Sequence, residues 1–95
     1  MIYKVIITKK ALKQLEKIEQ SVPKNAEKII VLINLIKSTD EPYLKWDCKK
    51  LKAYTPITYR WRIGEYRIFG IIENKETIKI TKIDKRDSKT YSTTT

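Results

Sequence analysis

The stretch "ITYRWRIGEYRIFGII", residues 57 to 72, decides the fold because it predicts two strands joined by a tight turn. Its first half alternates strictly, with aromatic and aliphatic side chains on one side and Arg60 and Arg62 on the other. Gly64 occupies the first central position of the turn, where a type II′ turn requires a positive φ that glycine adopts without strain. The stretch therefore predicts an antiparallel hairpin.

Pairing across this hairpin puts three of the chain's four arginines on one face of the sheet. With Gly64 and Glu65 as the loop, Arg62 pairs with Arg67. Arg60 shares their face, because paired residues project from the same side. Like charges with Cβ atoms roughly 5 Å apart destabilise a sheet unless a ligand or an acidic side chain supplies negative charge. A slip of one residue would move Arg67 to the opposite face, so the grouping depends on this register.

The N-terminal part of the chain predicts one strand and two helices. "IYKVIIT", residues 2 to 8, is rich in β-branched residues, which favour a strand. From Lys9 to Gln20, apolar residues recur every three or four positions, which indicates a helix with one buried stripe. Pro23 fits the first turn of a second helix that continues to Lys37, because the N–H that proline lacks is not used there. We expect the two helices to form an antiparallel pair.

The rest of the chain predicts a loop, a basic stretch and one more strand. Residues 38 to 48 hold turn formers and a proline without a period, so they indicate a loop leading into the basic "KKLKAY". "TIKITKI", residues 77 to 83, is predicted to run antiparallel beside the strand at 66 to 73. The predicted fold class is α+β: an N-terminal strand, the helical pair and a three-stranded antiparallel meander, in a single domain over residues 1 to 95.

The charge and composition of the chain indicate which classes of partner it is suited to bind. Its 95 residues carry 21 Lys+Arg against 11 Asp+Glu, a net charge of +10. Such an excess favours nucleic acid first and an acidic protein second, although lysines that only solubilise the domain explain the charge about as well. No apolar run approaches the roughly 20 residues of a membrane span. One cysteine and no histidine argue against a disulfide framework or a zinc site, so we predict a cytoplasmic chain without metal or cofactor.

The amino-acid composition also limits the catalytic mechanisms open to this chain. Without histidine, nucleophilic hydrolysis with an imidazole base is excluded, and no "GxxxxGK[ST]" motif supports nucleotide hydrolysis by a P-loop. Cleavage of RNA stays open, because its nucleophile, the 2′-hydroxyl, belongs to the substrate and the protein need only position, deprotonate and stabilise charge. The chain has 17 lysines and only 4 arginines, and guanidinium offers the paired donors that match phosphate oxygens.

Two residues near the C-terminus extend the arginine group. Arg86 lies just past the last predicted strand, whose end returns towards Arg67 in a meander. Tyr91 follows in "KRDSKTY", and nearby cations would lower the pKa of its hydroxyl from about 10, as a general base requires. A packing role for this tyrosine is the plainer alternative.

Several segments, taken in order and spacing, resemble one protein family. "YKVIITKKALKQLEKI" looks like its opening strand and helix, and "KKLKAY" is similar to its "KL[KR]" segment. "YRWRIGEYRI" resembles its basic alternating strand followed by a "G-x-Y-R" turn and strand, and "KRDSKTY" is similar to its terminal basic pair and tyrosine. The family is that of the RelE-like toxins of bacterial and archaeal toxin–antitoxin pairs, and the resemblance covers nearly the whole chain.

The resemblance implies a metal-independent, ribosome-dependent mRNA endonuclease that cuts by 2′-hydroxyl attack and inhibits translation. It implies that Arg60 and Arg62 bind the phosphate and orient the substrate, and that Arg67 stabilises the transition state. It further implies that Arg86 assists the leaving 5′-oxygen, that Tyr91 is the base, and that RNA backbone is held by Lys50, Lys52 and Lys85. The implied partners are the ribosome with its message and a flexible or acidic cognate antitoxin.

One departure and two rival interpretations accompany this resemblance. The positions of Arg60 and Arg62 hold lysine in well-known members. Arginine is harder to deprotonate than lysine, so we expect the role of these two arginines to be electrostatic. A ParE-like toxin shares the fold but is implied to inhibit DNA gyrase through protein contact. A basic RNA- or DNA-binding module would lack catalysis. Four arginines together with Tyr91 favour the nuclease.

Overall fold

The hairpin lies within a five-stranded sheet in the computed structural model, which describes residues 3–85. The strands are β1 (Lys4–Ile7), β2 (Asp47–Leu51), β3 (Thr58–Ile63), β4 (Tyr66–Glu73) and β5 (Thr77–Lys85). The helices are α1 (Lys9–Ser21) and α2 (Pro23–Lys37), and a short 3-10 helix covers Pro42–Leu44.

The predicted meander forms the middle of this sheet. The strand order is β1-β5-β4-β3-β2, in which β1 is parallel to β5 and all other neighbours are antiparallel. Apolar residues of both helices join one side of the sheet in a common core. The α+β fold class is therefore confirmed, and the opposite side of the sheet carries the arginines.

One strand, β2, covers the end of the predicted loop and the start of the basic stretch, where no strand was predicted. β2 pairs with β3 at the edge of the sheet, from Asp47 opposite Arg62 to Leu51 opposite Thr58. An edge strand has a neighbour on one side only, so polar residues such as those of "DCKKL" cost little there and no apolar alternation develops. The polar composition therefore hid this strand from periodicity analysis.

Both helices start at a residue whose local chemistry favours a helix N-terminus. The hydroxyl of Thr8 accepts a hydrogen bond from the backbone N–H of Ala11 at 3.2 Å, which satisfies a donor that the first turn of α1 leaves free. A single residue, Val22, separates the helices, and Pro23 opens α2. The tight connection keeps both helices in contact with each other.

Trp61 is the largest side chain at the centre of the core and is fully buried. Its indole Nε1 donates a hydrogen bond of 3.0 Å to the backbone oxygen of Pro42, so the polar end of the ring is satisfied. Gly70 makes room for the ring, since a Cβ there would lie 2.8 Å from the Trp61 Cζ3 atom. This packing fixes β3 against β4 and so fixes the positions of the arginines on either side of Trp61.

Candidate nucleic-acid interface

The structure confirms the predicted pairing across the hairpin. Arg62 lies opposite Arg67 and Arg60 lies opposite Phe69, while Gly64 has a φ of 59° in the turn. Because Trp61 alternates with the two arginines and points into the core, the three guanidinium groups belong to the side of the sheet away from the helices.

Two carboxylates explain how the fold tolerates these facing cations. Asp47 on β2 lies 3.5 Å from Arg60 Nη2 and 3.7 Å from Arg62 Nε. Asp84 on β5 accepts two hydrogen bonds from Arg67, at 3.1 Å from Nε and 3.3 Å from Nη2. The negative charge that the sequence analysis required is thus supplied by acidic side chains from both neighbouring strands.

Two lysines add to the positive charge. Lys49 lies opposite Arg60, and Lys82 lies opposite Phe69 with its Nζ 3.4 Å from Asp84 Oδ2. Paired residues share a face, so both lysines belong to the arginine side. We define the arginine face as the part of this surface around the three arginines, formed by Lys49, Arg60, Arg62, Arg67 and Lys82 together with Asp47 and Asp84.

The arginines that contact Asp47 have unused hydrogen-bonding capacity. The side chain of Arg60 is only 13% exposed, and that of Arg62 is 36% exposed. The Nε atoms of both are buried and have no hydrogen-bond partner. The contacts of the two arginines with Asp47, at 3.5 Å and 3.7 Å, are long for hydrogen bonds. Buried donors without acceptors cost free energy, so an anion that supplied acceptors would be stabilised here.

Two of the three lysines predicted to hold RNA backbone lie on the side of the sheet opposite the arginine face. Lys50 lies opposite Tyr59 on the side of the helices, and Lys85 lies opposite Tyr66, also on that side. Lys85 Nζ is instead 3.6 Å from Glu65 Oε1. Lys52 is exposed in the turn that follows β2. Lys49 could not be predicted as part of this face, because alternate residues are assigned to faces only in a segment that is recognised as a strand, and β2 was not.

The C-terminal part of the predicted group lies outside the described residues. Arg86 and Tyr91 fall in this part, and their roles stay predictions. The last described residue, Lys85, lies opposite Tyr66, so β5 does return to the Arg67 end of the sheet as predicted. Asp84 was not predicted as a site residue from the sequence. It lies two residues before Arg86, in the part of the chain that was predicted to return towards Arg67.

The described residues show neither a metal cluster nor a membrane-spanning helix. Within residues 3–85 no three side chains of His, Cys, Asp or Glu are grouped so that they could hold a metal ion. Neither α1 nor α2 is long and apolar enough to cross a membrane.

Cys48 is expected to be a slow-reacting thiol. It lies opposite Trp61 on β2, and burial raises the pKa of its thiol to about 12, against a smaller lowering by Arg60. The thiolate is the reactive form, so at pH 8 alkylation by iodoacetamide should be at least ~100-fold slower in the folded protein than in urea. The rate should still rise above pH 9, where that of the unfolded chain levels off. Mass spectrometry measures both rates, and equal rates would contradict the burial of this thiol.

Comparisons with known proteins match the chain over nearly its full length. No family model matches the sequence. A curated relative from Methanocaldococcus jannaschii, named as a RelE1 toxin, is 34% identical over 88 residues, which is 92% of this chain and 93% of the relative. The archaeal RelE–RelB complex from Pyrococcus horikoshii OT3 gives a TM-score of 0.70 at 31% identity, covering 93% of this chain and 99% of that one. The RelB–RelE antitoxin–toxin complex from Methanococcus jannaschii gives 0.68 at 26% identity, covering 92% and 96%.

Proposed function

We propose, because the chain belongs to the RelE family of toxins from toxin–antitoxin systems, that it is a metal-independent endoribonuclease that cleaves messenger RNA on the ribosome. The observation that carries the proposal is the arginine face, where three guanidinium groups and two lysines gather on the side of the sheet that the helices leave open. A strand of RNA supplies phosphates that complement this excess of positive charge.

The proposed reaction needs charge stabilisation more than it needs a protein nucleophile. The 2′-hydroxyl attacks the adjacent phosphorus, the bond from phosphorus to the 5′-oxygen breaks, and a 2′,3′-cyclic phosphate forms. One proton leaves the 2′-hydroxyl and one is delivered to the departing 5′-oxygen. Negative charge grows on the non-bridging oxygens in the transition state, and cations held in advance at those oxygens lower the barrier.

Arg67 is the residue proposed to stabilise the transition state. Its guanidinium is held at two points by Asp84, so its orientation is set before the RNA arrives. Arg60 and Arg62 are the proposed phosphate-binding groups, since their long contacts with Asp47 leave donors for a phosphate oxygen. Arg86 is proposed to assist the leaving 5′-oxygen, and Tyr91 is proposed to act as the base. Both residues lie outside the described part of the chain.

The proposed partners follow from the same charge. The two solved relatives named above are complexes with RelB, and we propose that a flexible or acidic antitoxin binds this chain as well. The net charge of +10 suits such a partner. Activity on ribosome-bound message would place the protein in the cytoplasm.

In-vitro translation followed by primer extension on the message tests the proposed function. The purified protein should produce new 5′ ends at defined positions within codons when the message is on the ribosome, and many fewer on free message. A DNA gyrase supercoiling assay serves as the parallel measurement. Intact message together with blocked supercoiling would support a gyrase inhibitor, and intact message with RNA binding alone would support a non-catalytic module.

A further inference from the structure

The side of the sheet that carries the arginines continues into a groove of about 220 Å³. The connection between β2 and β3 forms one wall, and β4 with β5 forms the other. Its lining includes Tyr54, Pro56, Phe69, Ile71, Thr81 and Lys82. None of these residues was predicted from the sequence to have a functional role.

The groove begins where the arginine face ends. Phe69 lines it and lies opposite Arg60 across the hairpin. The Phe69 ring centroid is 5.8 Å from Arg67 Cζ and 5.5 Å from Lys82 Nζ, so two cations contact the ring at this boundary. A strand of nucleic acid with a phosphate on the arginines would therefore bring its adjacent nucleoside to Phe69.

The lining suits a nucleobase better than a second phosphate. Tyr54 is 53% exposed, which leaves an aromatic surface open at the groove, and Phe69 and Ile71 add apolar walls. Lys82 supplies one cation, and Thr81, whose hydroxyl donates a hydrogen bond of 3.5 Å to the backbone oxygen of Phe69, also lines the groove. Proteins bind single strands by combining a positive track for the backbone with aromatic rings on which bases stack.

We propose that this groove is a base subsite, in which one unpaired nucleobase of the bound RNA packs against Tyr54 and Phe69. The proposal rests on the proposed function, because it requires the phosphate of the same strand to lie on the arginine face. Base stacking on an aromatic ring is tolerant of sequence, so the subsite positions the strand and does not select one base.

Binding of two non-cleavable probes tests the subsite. One is a short single strand of 2′-O-methyl uridine, and the other is a strand with the same phosphates but no bases. We expect the wild-type protein to bind the strand with bases about tenfold more tightly. Tyr54→Ala should remove this preference and leave binding of the abasic strand unchanged, whereas Tyr54→Phe should keep it. Ile57→Ala is the matched control, since Ile57 is exposed in the same connection but does not line the groove.

The outcomes separate the subsite from the function on which it rests. Equal binding of both strands by the wild type, or a preference that survives Tyr54→Ala, would overturn the subsite. Arg62→Gln should weaken both strands alike. If it weakens neither, or if the wild type binds neither strand, the RNA-binding role of the arginine face fails and the subsite fails with it. Mass spectrometry should also locate a photo-crosslink from 5-iodouridine at Tyr54 or Phe69.

Discussion

Arg67→Gln is expected to lower the rate of message cleavage on the ribosome by about 10²–10³-fold, the usual loss when one donor to a transition-state oxyanion is removed. Glutamine keeps a polar side chain of moderate length but lacks the positive charge and the paired donors of guanidinium. Arg67 and Asp84 form a partly buried ion pair, and Lys82 stays 3.4 Å from Asp84 when Arg67 is replaced, so the substitution should cost about 1 kcal/mol of stability and leave the protein folded. Primer extension over a time course measures the rate.

Lys79→Gln is the matched control for Arg67→Gln. Lys79 lies on the neighbouring strand β5 and is also in an ion pair, with its Nζ 3.9 Å from Glu73 Oε2. It lies opposite Ile71, away from the turn between β3 and β4. Cleavage by this variant should stay within about twofold of the wild type, as expected of a surface ion pair that makes no contact with the substrate. Equal cleavage by the wild type and Arg67→Gln would remove Arg67 from the proposed mechanism. If Tyr91→Phe loses cleavage and Arg67→Gln does not, Tyr91 stays in the proposed mechanism as the base and Arg67 has no role in it.

The hairpin and its register could be predicted because local chemistry determines both. Gly64 fixes the turn, strict alternation fixes the faces, and together they require Arg62 to lie opposite Arg67. The helices were predictable for a similar reason, since Thr8 and Pro23 mark their starts and the apolar spacing marks their buried stripes. Signals contained within a few neighbouring residues were thus sufficient for these elements.

Features that depend on distant pairing could not be predicted in the same way. β2 is polar and gains its strand conformation only from β3, so neither the position of Lys49 nor the contacts of Asp47 could be derived from its own residues. In β5 the register shifts opposite Phe69 and Gly70, which places Lys82 and Asp84 on the arginine face. A sign of this shift is visible in the sequence, because the buried isoleucines are spaced by two residues at Ile78 and Ile80 and then by three at Ile83.

Trp61→Ala is expected to lower the free energy of unfolding by about 3–5 kcal/mol, the range found when a buried aromatic side chain is truncated to alanine. The ring is fully buried, and its loss also leaves the backbone oxygen of Pro42 without the indole N–H as donor. A domain of this size has about 5–15 kcal/mol of stability in total, so the variant should be folded only marginally. Because Trp61 lies between Arg60 and Arg62, loosening it should also reduce RNA binding under conditions where the variant is still folded.

Trp46→Ala provides the comparison, since Trp46 is the other tryptophan of the chain and is 43% exposed. Its truncation should change stability by less than about 1 kcal/mol, because a half-exposed ring leaves no buried cavity when it is removed. Urea unfolding followed by far-ultraviolet circular dichroism measures both variants without relying on tryptophan fluorescence. A shared shift of both midpoints would show that Trp61 has no special place in the core. A large shift for Trp61→Ala alone, together with weaker RNA binding by the variant while it is still folded, would show that the packing beneath the sheet holds the arginines in position on its open side.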